Sequence, residues 1–89
     1  MEKIYQATIA RWGVDAQYDQ AIEECAELIA ALKHFKRGKI SQQAVIDELA
    51  DASLMLGQLR WMFGNDQVEA AINNKLEKLN QLLTQTDKQ

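Results

Sequence analysis

The sequence predicts an all-α protein of four helices. Three observations lead there: no proline occurs, no stretch alternates polar and apolar residues with period two, and the glycines are spaced like punctuation between segments of helical periodicity. At 89 residues the chain makes one domain, 1–89. A core of that size usually needs reinforcement from a metal, from disulfides or from a partner subunit.

The first helix is expected over residues 2 to 12, ending near Gly13. The second runs from 16 to 37, with Ala21, Cys25, Leu28, Ile29, Leu32 and Phe35 at helical spacing. Gly38 stops it, and Lys36, Arg37 and Lys39 gather where cations offset the negative helix pole. Ser41 is the expected N-cap of a third helix reaching Phe63, striped by Val45, Leu49, Ala52, Leu56, Leu59 and Phe63. After Gly64, Asp66 and Glu69 have the spacing of a capping box for a fourth helix through Val68, Ile72, Leu76, Leu79 and Leu83. Fraying is expected from about Thr84.

The third helix carries a second apolar set, Ile46, Leu54, Met55, Trp61 and Met62, more than one neighbouring helix pair covers. Association is the simplest remedy, and a homodimer or homotetramer is expected. Gly57, in mid-helix, costs roughly 1 kcal/mol relative to Ala and points to a close approach by another helix, within the subunit or across a seam.

Composition excludes several classes. A single cysteine, Cys25, allows no intramolecular disulfide framework and reads as a small core residue in a reducing compartment. Met1-Glu2-Lys3-Ile4 places an acid where a signal peptide is basic, and no apolar stretch follows. The expectation is a cytoplasmic protein without a membrane span. With a net charge of -3 and scattered basic residues, it lacks the stripe of a duplex nucleic-acid binder. A free nucleotide is compatible, because bound metal supplies positive charge that a mildly acidic protein lacks.

The chemistry is carried by carboxylates. Glu23, Glu24 and Glu27 fall within one turn of the second helix, and Glu24 and Glu27 at i, i+3 share a face. Glu48 and Asp51 repeat that spacing on the third. Taken singly, each is an ordinary solvated acid. Doubled on antiparallel neighbours, they can converge into the all-oxygen site that Mg²⁺ or Mn²⁺ prefers, and without metal they repel.

Glu23-Glu24-Cys25-Ala26-Glu27, then residues 28 to 47, then Glu48-Leu49-Ala50-Asp51 resembles the EExxE and ExxD signature of MazG-like proteins. Leu28, the basic Gly-containing turn and the aliphatic run after Asp51 are similar to that family too, so the resemblance covers about residues 12 to 79. It implies the all-α nucleoside triphosphate pyrophosphohydrolase fold, Mg²⁺ dependence, and cleavage of a (deoxy)nucleoside triphosphate to monophosphate and pyrophosphate. It also implies that Glu24, Glu27, Glu48 and Asp51 are metal ligands, with Glu23 orienting or deprotonating the attacking water. Family members carry a Lys on the last helix followed four residues later by a basic residue; Lys75 fits the first, whereas position 79 is Leu79.

Lys33, Lys36, Arg37 and Lys75 are the candidates for the outer phosphates, each otherwise a solvated helix cation. Among flat side chains, Trp12 beside Gly13 is the preferred stacking surface for a base, ahead of Tyr18, Phe35 and Trp61. Two other readings stay open, and a third falls away. Phosphoribosyl-ATP pyrophosphohydrolase shares the paired acidic motifs. A non-catalytic helical interaction module would leave the acids in solvent. A di-iron bundle expects Glu-x-x-His, but the only histidine, His34, has Ala31 three residues before it.

Overall fold

A computed structural model describes residues 1–87. Four helices follow one another with no strand among these residues: α1 (Glu2–Trp12), α2 (Val14–Lys36), α3 (Gln42–Phe63) and α4 (Asn65–Asp87). No helix among them is long and apolar enough to cross a membrane.

The joints are set by local chemistry. Gly13 at φ 90° ends α1, and α2 starts at the next residue, two positions earlier than the sequence suggests. A residue in that left-handed conformation breaks the ladder without lengthening the connection, so no linker is spent. At the far end of α2, the Gly38 N–H donates to the Phe35 carbonyl and the Lys39 N–H to that of His34. This pair of bonds is a Schellman motif, and Gly38 at φ 72° supplies its left-handed residue. Ser41 caps α3 as expected, its Oγ accepting the Ala44 N–H at 3.2 Å.

The start of α4 corrects the sequence reading. The helix begins at Asn65, so Asp66 lies inside its first turn rather than at the cap. Glu69 makes no reciprocal capping bond and instead pairs with Arg60 of α3, whose Nε donates to Asn65 Oδ1. The corner is thus clamped by a side chain from the preceding helix. At its far end α4 runs to Asp87, with Thr84 Oγ1 donating to the Asn80 carbonyl, and residues 88–89 of the tail expected to fray lie outside the described residues.

The antiparallel α2–α3 pair is the body of the molecule; α1 packs across both helices, and α4 touches α3 alone. The result is flat and extended, 55 × 38 × 19 Å, with a radius of gyration of 16.8 Å against about 12 Å for a compact chain of this length. Its seam is built from small residues, since Ala21, Ala31 and Ala52 are buried and let the helix backbones approach. Most of the larger side chains expected in the core are about half exposed: Ile29, Leu32 and Phe35 on α2; Leu49, Leu56 and Phe63 on α3; Leu76, Leu79 and Leu83 on α4. Cys25 is likewise only half-buried. Two helices in one layer have one inner face between them, and no second layer covers the rest.

Gly57 does mark a close approach, and it lies within the subunit. The Tyr5 ring of α1 lies so tightly over it that a β-carbon there would overlap the phenol oxygen. Beside it Gln58, 2 % exposed, donates from Nε2 to the Tyr5 carbonyl at 3.2 Å and accepts the Thr8 hydroxyl at 2.9 Å. These contacts fasten α1 to the α3 end of the body.

Candidate metal centre

The expected acids come from two helices that the Gly38 turn folds back on each other. Oxygens of Glu24, Glu27 and Glu48 all lie within 4.8 Å of one another, so three of the four predicted ligands converge in the folded chain. Asp51 stands outside that trio but close enough for its charge to act on both Glu24 and Glu27. Glu23, exposed at the edge, acts on the same two carboxyls.

Each helix contributes for a local reason. On α2 the i, i+3 spacing points Glu24 and Glu27 along one face, one turn past Gln20. Gln20 Nε2 donates to Glu24 Oε1 at 2.9 Å and fixes that carboxyl. The other oxygen, Oε2, is closed off from solvent without a partner, and so is Oε2 of Glu48 across the seam.

The electrostatics work against ionisation of two of these carboxyls. Glu24 is raised above the usual glutamate value first by burial, then by the charges of Glu27 and Asp51, with the Gln20 bond pulling weakly the other way. Glu27, an exposed residue, is raised first by partial desolvation and then by the charges of Glu48 and Glu23. The Arg60–Glu69 ion pair is the one such pair among the described residues, so no lysine or arginine there neutralises these acids. Two enclosed acceptor oxygens without donors, in a set of oxygens only, fit a hard divalent cation of the Mg²⁺ or Mn²⁺ type.

The predicted phosphate contacts are placed less favourably. Lys33, Lys36 and Arg37 are exposed at the end of α2, six to ten residues beyond Glu27 in the chain. Lys75 is exposed on α4, a helix that makes no contact with α2, so the chain does not by itself bring Lys75 to the acids. Trp12 is mostly exposed but walls a groove of about 440 Å³ shared by α1, α2 and α3, which Thr8, Ala16, Gln17, Gln20 and Met55 complete. Gln20 is therefore common to that groove and to the carboxylate cluster.

Three glutamines, Gln17, Gln20 and Gln58, are absent from the sequence-level candidates. Gln20 carried a readable signal, its i, i+4 relation to Glu24. Gln17 and Gln58 did not, because an uncharged polar residue on a helix is exposed by default and only the packing of α1 buries these two. Compared with protein-family models, with curated proteins and with solved structures, the chain matches none.

Proposed function

We propose that this protein is a Mg²⁺-dependent nucleoside triphosphate pyrophosphohydrolase with the MazG-like all-α fold, Mn²⁺ being the other cation its donor set suits. The observation that carries this reading is the convergence of Glu24, Glu27 and Glu48 with two carboxylate oxygens enclosed and unpartnered. Acids whose ionisation is resisted by burial and by each other are stable as carboxylates once a cation is present, and triphosphates arrive with cations of this type.

Glu24, Glu27 and Glu48 would hold the ion, with Asp51 near enough to join them. Bound there, it would supply neutralisation of the triphosphate oxygens and acidification of the attacking water. Glu23, exposed on the same turn of α2, would orient that water and take its proton. Attack at the α-phosphorus breaks its bond to the bridging oxygen, and pyrophosphate leaves with the negative charge. Lys33, Lys36, Arg37 and Lys75 are the cations for the outer phosphates, Lys75 requiring an α4 that reaches an α2.

The half-exposed apolar side chains support assembly into a homodimer or homotetramer. Ile22 and Ile29 on α2, with Leu49, Leu56 and Phe63 on α3, leave a face that a second copy could cover. Clearing non-standard nucleotides from the cytoplasmic pool is the role such chemistry serves.

The test is a panel of ordinary and modified NTPs and dNTPs with Mg²⁺, with pyrophosphate and phosphate separated as products and Glu48→Gln as control. Pyrophosphate release that disappears in the control supports the reading and names the base. A wild-type protein that releases nothing from any of them, but turns over phosphoribosyl-ATP, would replace it with that activity.

A further inference from the structure

We infer that Gly64 is a hinge at which α3 and α4 convert between the bent corner and one continuous helix from Gln42 to Asp87, with Arg60 as the latch of the bent form. The hinge stands whether or not the protein is a pyrophosphohydrolase.

A single residue separates the two helices. On both sides of it helical hydrogen bonds are already in place: the Gly64 N–H donates to the Arg60 carbonyl at 3.0 Å, and the Gly64 carbonyl accepts the Val68 N–H at 3.1 Å. Both are the i to i−4 bonds of an unbroken α-helix. The missing rungs are those from the Asn65, Asp66 and Gln67 N–H groups to the carbonyls of Trp61, Met62 and Phe63. Among the described residues no other bond within the chain uses these groups. Rotation of Gly64 from φ 107° into the helical region lines them up. Glycine is the residue that occupies both conformations at little cost.

The bent form is held lightly. Arg60 pairs with Glu69 and donates from Nε to Asn65 Oδ1. Its side chain is 38 % exposed and that of Glu69 57 %, so the pair sits in water and is screened by salt. It exists in the bent form alone: in a continuous helix Arg60 and Glu69 stand about 13 Å apart along the axis and on opposite sides, since nine residues turn through about two and a half revolutions. Packing adds little. Between Asn65 and Gln85 only Val68 and Ile72 are half-buried, and every side chain from Asn73 to Gln85 is exposed. Straightening therefore exchanges one exposed ion pair and a small contact for the three missing backbone bonds, and it swings Lys75 with the rest of α4.

Spin labels on Ser53→Cys and Asn74→Cys, in the Cys25→Ser protein diluted with unlabelled chains, read the angle by double electron–electron resonance. A continuous helix places the two backbones about 31 Å apart, and any bend brings them closer. The otherwise unaltered corner should give mainly the shorter distance. Arg60→Ala, or about 1 M salt, should raise the ratio of long to short about two- to fivefold, the worth of an exposed ion pair. Gly64→Ala should raise it about tenfold or more, because alanine is strained at a positive φ and favours the helix. Its added β-carbon meets the Gln67 side chain only at an ordinary contact of 3.6 Å, so the backbone angle alone drives that change. Hydrogen exchange at Asn65, Asp66 and Gln67 should slow in the same variant as their amides enter the ladder. A Gly64→Ala protein that loses helix content leaves the decision to Arg60→Ala and to salt. Distances that stay short under every one of these changes, or that broaden without a population at about 31 Å, would overturn the hinge.

Discussion

Tyr5 occupies the space that a β-carbon at position 57 would fill, so α1 is seated on α3 through the absence of a side chain. In an isolated helix Gly57→Ala would gain roughly 1 kcal/mol. Here the methyl must push the buried Tyr5 ring aside, and overpacking of that kind costs about 1–3 kcal/mol. The expected outcome is a lower urea midpoint for Gly57→Ala and partial recovery in Tyr5→Phe/Gly57→Ala, whose ring lacks the overlapping oxygen. A stabilised single variant would show that α1 does not seat there in solution.

Gln58 should prove the most sensitive polar residue of the α1 contact. Gln58→Leu removes the donor to the Tyr5 carbonyl and the acceptor for Thr8, and a loss of about 1–3 kcal/mol is expected in denaturant unfolding. Hydrogen exchange should accelerate first in α1. Thr8→Val should cost less, because the Gln58 amide keeps its bond to the Tyr5 carbonyl.

Removing one acid should have opposite effects with and without metal. In EDTA, Glu24→Gln relieves repulsion from Glu27 and Asp51, and its melting temperature should exceed that of the wild type. With Mg²⁺ in large excess the order should reverse, since a ligand at a hundred times its Kd adds about 2.7 kcal/mol to the protein that binds it. Thermal melts of both proteins in both buffers check the crossing. Parallel curves that never cross would argue against the metal site.

The pH dependence follows from the direction of the two shifts. Glu24 and Glu27 hold their protons more tightly folded than unfolded, so the folded state binds more protons between the ordinary glutamate value of 4.5 and the raised values. Stability therefore falls as pH rises through that window. Metal-free protein should gain melting temperature over Glu24→Gln/Glu27→Gln as pH drops from neutral toward 4.5, measured as the difference between the two. Mg²⁺ affinity should weaken over the same interval, because protons compete for the same oxygens.

Ile29 and Leu56, both about half exposed on the open face, should control assembly. Ile29→Lys and Leu56→Lys are each expected to shift the protein toward monomer in sedimentation velocity with little change in helix content. Burying such a side chain is worth about 1.5–3 kcal/mol in full, so one buried lysine per subunit is enough to move the equilibrium. A wild type that sediments as a monomer at high concentration would remove the homo-oligomer from the proposal.

The sequence alone determined the helices, the joints at Gly13, Gly38 and Gly64, the Ser41 cap and the i, i+3 pairing of the acids. These depend on backbone conformations and spacings that residues within one turn settle among themselves. That Glu24, Glu27 and Glu48 would meet was legible too, because a short turn between two amphipathic helices leaves them antiparallel. Tertiary structure decided everything that needed to know a neighbour. It gave Gly57 to Tyr5 rather than to a second subunit, moved Glu69 from the expected cap to Arg60, and kept α4 and Lys75 away from α2. It buried Gln17 and Gln58 while leaving Leu49 and Phe63 half in solvent. The reason is that periodicity defines a face but not what covers it, and burial is a property of the pair of surfaces that meet.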